Sequence, residues 1–472
     1  MKKILFVLWI MIGMTSISCY DFLHEYPKDL TYATSSSDLK ELLIGQGYIG
    51  ADLYIVLPKL TDDLLFWRSN VATTTSLDLY WWDPMPNTES IWKDYYKRIS
   101  IANAVIHDVE EFSDEPGDSY RMVKGEAHFL RAAFYYYLVS LYAKPYTVEH
   151  SPTDPGVPLK LSPAIEDRRF ARNTAQECYD QIVKDLTVAI ECLDGISSGI
   201  YRAGEMPARF LLSRIHLYMG NWEEAVKQCE IILNHRAYSL LDYNVVGPVA
   251  SADVVWAGSP EIVFSNGQCA YGAMAYYTYN TSYSRASDEL INLYETNDLR
   301  RDYFYRGDGP TSPRKKRSSG TTDISDYFIF RLPEIYLTQA EALTMLGRDS
   351  EAITAVQALR KTRFVTGTLP ALTLSGETLV NFIRDDRRRE FAFEGQRWFD
   401  LRRYAVSPKW PYQKEIRHPY YPTGSTEIAG DRVLGKYADE PEFYVIPIPE
   451  SEIVSNAGVL IQNPPRAQKL PL

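Results

Sequence analysis

Apolar residues recur every third or fourth position between residues 121 and 142. Val123, Ala127, Leu130, Phe134, Tyr137 and Leu141 form one stripe, the spacing of a helix with a buried face. Pro145 stops it, because proline lacks the backbone N–H that a helix interior needs. After a proline-rich loop, Thr174 and Glu177 stand three apart, as in a capping box. They open a second helix whose stripe is Tyr179, Ile182, Val183, Leu186, Ile190 and Leu193. Similar patterns predict helices over residues 207–219, 222–234, 333–346, 349–362 and 377–394. A long helix is expected over 88–112, and short ones over 37–47 and 287–294. Only residues 443–448 read as a strand.

Two joints between these helices match each other. Gly220-Asn221-Trp222-Glu223-Glu224-Ala225 and Gly347-Arg348-Asp349-Ser350-Glu351-Ala352 both have the turn of a tetratricopeptide repeat. The intervening stretch, residues 236–330, has a different composition. It is rich in tyrosine, glycine and asparagine, and it reads as an insertion. Residues 60–87 are also irregular and aromatic.

The N-terminus changes the picture of where the chain works. Lys2 and Lys3 precede an apolar run over residues 4–14, then small residues and Cys19. That is the pattern of a secretory signal, and the run is too short to span a bilayer. Cys19 resembles the lipidated cysteine of a bacterial lipobox, although Ser16 stands where leucine is usual. Cleavage before Cys19 makes residues 1–18 a signal peptide and leaves an extended tether over residues 20–30. The formal charge is −11, and loss of Lys2 and Lys3 makes it about −13. Such a balance disfavours nucleic acid as a partner, which needs a basic footprint. The one basic run, Arg314-Lys315-Lys316-Arg317, sits among Gly, Pro, Ser and Thr and reads as a solvated loop. Cys178 and Cys192 share one helix, about 21 Å apart at 1.5 Å per residue, too far for a disulfide. With Cys229 and Cys269 they read as thiols, and no metal-ligand spacing is present.

The stretch Asp386-Arg387-Arg388-Arg389-Glu390-Phe391-Ala392-Phe393-Glu394-Gly395-Gln396-Arg397-Trp398-Phe399-Asp400-Leu401-Arg402-Arg403-Tyr404 resembles the signature of the RagB/SusD family of outer-membrane nutrient-binding lipoproteins. Further matches follow in the family's order. They are Gly125-Glu126-Ala127-His128-Phe129-Leu130-Arg131-Ala132, Tyr142-Ala143-Lys144-Pro145-Tyr146, Arg172-Asn173-Thr174, Arg331-Leu332-Pro333-Glu334-Ile335-Tyr336-Leu337 and Ile446-Pro447-Ile448-Pro449. The resemblance implies a mainly α fold: a tetratricopeptide-like scaffold of four helix pairs, with a larger irregular, loop-rich lobe and few short strands. It divides the mature chain into residues 19–235, with the first two pairs, a variable ligand-binding insertion at 236–330, and 331–472, with the last two. It further implies a non-catalytic surface lipoprotein that hands oligosaccharide, or in some members peptide, to a TonB-dependent SusC-like transporter. A repeat-type adaptor without a small ligand is the alternative from another class.

The charged residues of the signature invite a catalytic reading, since Glu390 and Glu394 share a helix face. However, they run into an apolar stripe beside Arg387, Arg389 and Arg397. A structural ion-pair network accounts for them better, and Glu126, Arg131 and Glu341 fit the same account. His128 and His216 lie within helices and read as structural, as do Trp222 and Trp398. Asp62-Asp63 reads as a turn or cap. Binding falls instead to aromatics in loops, whose flat faces suit the C–H faces of sugar rings and which freeze few rotors. The candidates are Trp67, Trp81 and Trp82, then Tyr276, Tyr277, Tyr279, Asn280 and Tyr283. No cofactor is expected, and a structural Ca²⁺ is left open.

Overall fold

The computed structural model describes residues 33–48, 57–66, 79–86, 88–246, 255–267, 284–305, 324–325, 328–422, 425 and 427–472. In chain order its elements are α1 (Ser36–Leu42), β1 (Leu64–Phe66), α2 (Glu89–Asp108), α3 (Ser119–Tyr142), α4 (Ala175–Leu193), α5 (Glu205–Met219), α6 (Trp222–Leu233), β2 (Ile262–Ser265) and β3 (Ser284–Ala286). Next come α7 (Asp288–Asn292), α8 (Leu299–Phe304), β4 (Ile329–Arg331), α9 (Leu332–Met345), α10 (Asp349–Lys361), α11 (Gly376–Phe391), α12 (Arg397–Ala405), β5 (Ile416–Pro419), β6 (Asp431–Leu434) and α13 (Glu450–Ser455). The strands form three antiparallel two-stranded ladders, β1–β3, β2–β4 and β5–β6.

Helix α3 is the spine. Its residues from Gly125 to Tyr142 are all buried, so it is covered on every side rather than on one face. It packs between α2 and α4. Gly125 permits the close approach to α4, because a Cβ there would lie 2.6 Å from Leu193 Cγ. The expected capping box of Thr174 and Glu177 is formed in both directions at the start of α4. Helices α5 and α6 pair, as do α9 and α10, and α6 packs on α9. Both predicted joints turn through a left-handed glycine, Gly220 at φ 78° and Gly347 at φ 77°. Helix α11 packs on α9, and its Arg387 Nε donates to Asp400 of α12 at 3.1 Å. The molecule is thus mainly helical, with a tetratricopeptide-like scaffold.

A second core lies in the irregular lobe. It joins Leu64, Phe66 and Tyr80 to Tyr243, Ile291, Tyr294 and Phe304 of the middle segment, and to Phe393 beyond α11. The middle segment therefore shares its core with both halves of the chain.

One expected element is absent. Residues 443–448 form no strand; a 3-10 turn occupies Pro441–Tyr444. The backbone after it bonds elsewhere. Ile446 N–H donates to the Leu141 carbonyl at 2.9 Å, and Gln462, Asn463 and Arg466 side chains hold residues 445–448. These partners satisfy the polar groups that a neighbouring strand would have met. Cys178 and Cys229 are buried thiols and Cys192 is half-buried. Cys19, Cys269 and the run at 314–317 lie outside the described residues. Among the described residues, no helix is long and apolar enough to cross a membrane.

Candidate functional site

The signature charges form the floor beneath the lobe. Glu390 is fully buried and pairs with Arg363 at 3.1 Å and Arg331 at 3.1 Å, with Arg300 at 3.4 Å. Burial raises its pKa, but the three guanidiniums more than reverse this and hold it well below the usual carboxylate range. Glu394 takes a bidentate grip from Arg331. Both carboxylates are committed to arginines and buried, which suits a structural role. A second cluster ties the two ends of the chain. Asp62 accepts from Arg397 Nε and Nη2, both at 2.9 Å, and from Lys414 at 2.8 Å. Asp63 accepts from Arg388 at 2.7 Å. The two aspartates form a turn, as expected, and that turn is pinned to α11 and α12.

Above this turn, His418 of β5 organises three consecutive aromatics. Its Nε2 lies 2.9 Å from the Thr61 carbonyl and its Nδ1 2.6 Å from the Tyr80 carbonyl. Burial pushes the ring's pKa down to about 4, against the pull of both carbonyls. Tyr80 stacks on it at 4.0 Å between ring centroids, and Trp82 at 4.3 Å. Imidazole is thus sandwiched between the two rings. Trp82 adopts φ 52°, a left-handed conformation that costs a non-glycine residue about 1–2 kcal/mol. This places Trp81 on the outside of the turn. Its indole is partly exposed.

Trp81 is the centre of a small platform. Tyr420, just after β5, lies 5.4 Å from it at 61°. The Arg432 guanidinium of β6 sits 4.9 Å from the Trp81 ring and 5.1 Å from the Tyr420 ring. Arg432 Nη1 donates to Asp83 at 2.9 Å. A flat ring beside a cation and a carboxylate can hold an apolar sugar face while bonding its hydroxyls.

Trp81 and Trp82 therefore part company. Trp82 is fully buried, with a face taken by His418, so it supports the platform from beneath instead of facing a ligand. Trp67, Tyr276, Tyr277, Tyr279, Asn280 and Tyr283 lie outside the described residues. Their described neighbours converge on the same place, however. Phe66, which precedes Trp67, pairs with Ser284, which follows Tyr283. Phe66 also packs edge-on against Tyr80 at 4.7 Å and donates its N–H to Tyr80 Oη. The sequence reading missed Asp83, His418, Tyr420 and Arg432. The run His418-Pro419-Tyr420-Tyr421-Pro422 carried the same signal, aromatics among prolines, that singled out Trp81.

A cleft of about 680 Å³ lies elsewhere, on the scaffold, with Tyr146, Tyr218 and Trp222 in its walls. Trp222 lines it with Lys409 over its ring at 5.4 Å. This concavity also draws on loops, at residues 144–154, 406–413 and 437–438, but neither Trp81 nor Trp82 lines it. Among the described residues, no cluster of His, Cys, Asp and Glu could hold a metal ion.

Comparison with known proteins is consistent along the chain. A sequence model described as the SusD family matches residues 256–465. Another, described as starch-binding associating with outer membrane, matches residues 35–217. SusD-like protein P2 of Formosa agariphila is 23% identical over 441 residues, 79% of this chain and 80% of that protein. A SusD superfamily crystal structure from Bacteroides thetaiotaomicron superposes with a TM-score of 0.74 at 21% identity, covering 91% of this chain and all (100%) of the other. A laminarin-binding SusD-like protein superposes with a TM-score of 0.64 at 19% identity, covering 92% of this chain and 100% of the other.

Proposed function

This chain belongs to the RagB/SusD family, and from that premise we propose that it is a non-catalytic oligosaccharide-binding lipoprotein of the outer membrane. It captures glycan on the Trp81 platform and passes it to a TonB-dependent SusC-like transporter. Cys19 carries the lipid, with more than one acyl chain needed for stable anchorage, and the protein faces the cell surface. The observation that supports the reading most is the partly exposed Trp81, backed by the His418 sandwich and flanked by Tyr420 and Arg432. Trp67, Tyr276, Tyr277, Tyr279, Asn280 and Tyr283 belong to the same proposed surface.

Affinity capture from the outer membrane, followed by mass spectrometry, tests the partnership. The expected result is one large β-barrel receptor in stoichiometric yield. Recovery of this protein alone, together with silence on a broad glycan panel, overturns the proposal. The scaffold cleft beside Trp222 favours a second reading, a repeat-type adaptor that binds protein and no small ligand. On that reading, replacing Trp222 and not Trp81 would abolish partner capture. A peptide ligand, drawn by the acidic mature chain, would instead show binding that falls steeply with salt.

A further inference from the structure

Arg432 is only 8% exposed, yet its hydrogen-bonding capacity is largely unused. A guanidinium carries five N–H donors. Nη1 is bonded to Asp83, while Nε is buried with no partner. The Trp81 indole Nε1, on the ring that Arg432 covers, is likewise buried and unpartnered. Trp81 and Tyr420 clamp the guanidinium and fix its plane. Asp83 holds Nη1, and Nε, though without an acceptor, is closed to solvent, which leaves Nη2 and the guanidinium charge to meet an oxyanion. Buried donors without acceptors are costly, and both orphans here are donors.

We infer that the Trp81 platform takes a sugar bearing an anionic substituent, a uronic-acid carboxylate or a sulfate ester, and that Arg432 reads that group. The inference rests on the glycan-binding reading of the same site. A neutral hydroxyl brings its own proton and one oxygen. A carboxylate or sulfate brings several acceptor oxygens and no donor, which is the complement of this pair. Lysine could supply the charge at this position, but not the planar contact with the Trp81 and Tyr420 rings.

The test is an array of neutral, uronic-acid and sulfated oligosaccharides probed with the full mature chain, followed by calorimetry on the best binder. Wild type is expected to bind an acidic class at least tenfold tighter than the neutral glycan of the same length. The uronic-acid and sulfated arms decide which anion is read. Arg432→Gln is expected to erase the preference and weaken acidic binding at least tenfold. Arg432→Lys should recover only part of it. Should Arg432→Gln fail to fold, the wild-type preference and Arg432→Lys decide the matter. Equal binding of acidic and neutral glycans, or acidic binding unchanged in Arg432→Lys and Arg432→Gln, overturns the inference and leaves the glycan-binding reading standing. Silence in every class overturns both.

Discussion

Glu390 shows how much the fold asks of single residues. It is fully buried, with three arginines within 3.4 Å. Removing one partner of a buried ion cluster costs about 3–5 kcal/mol, because the remaining charges stay buried. Glu390→Gln is therefore expected to lower unfolding stability by about that much in urea titration, without touching the Trp81 platform. A loss below about 1 kcal/mol would contradict the structural role. The charges were legible at this scale, because acidic and basic residues on an apolar stripe must pair. The division of labour between Trp81 and Trp82 was not. Adjacent loop aromatics look equivalent in sequence, and only the positive φ of Trp82 and the stacking of distant His418 separate them.

At the scale of elements, α3 and α4 meet through Gly125, where a Cβ would fall 2.6 Å from Leu193. Gly125→Ala must push the helices apart, an overpacking cost of about 1–3 kcal/mol that outweighs the gain in helix propensity. Thermal melting should show a lower midpoint; an unchanged or higher one would mean the helices slide freely. The stripes over residues 121–142 and 179–193 made these helices readable, since period and capping are local signals. The strand expected at 443–448 failed for the opposite reason. Its partners are Leu141, Gln462, Asn463 and Arg466, and no local pattern announces contacts so distant in sequence. Strands β5 and β6, which pair with each other and carry His418 and Arg432 to the platform, were not anticipated either.

Across the whole molecule, buried carboxylates set the acid limit. Burial raises Glu334, but Arg214 and Arg387 more than reverse it, leaving a value of about 2. Its folded pKa lies below its ordinary one, so its contribution is complete above about pH 4.5 and disappears as pH falls through about 2. Asp386 and Glu341, also buried against arginines, shift the same way. Glu126 shifts upward through burial and partly offsets them. The urea midpoint should fall steadily from pH 5 to pH 3, and a flat profile would contradict the ion-pair account. The architecture was legible from ordered motifs spread along the chain, while the ligand's chemistry was not, because it depends on how loops from both halves meet. The central claim is that glycan is held at Trp81. Calorimetry of Trp81→Ala beside wild type, using the best binder from the glycan array and Trp222→Ala as the scaffold control, tests it most directly. The account predicts at least a tenfold loss for Trp81→Ala and none for Trp222→Ala; wild-type affinity in Trp81→Ala would contradict it.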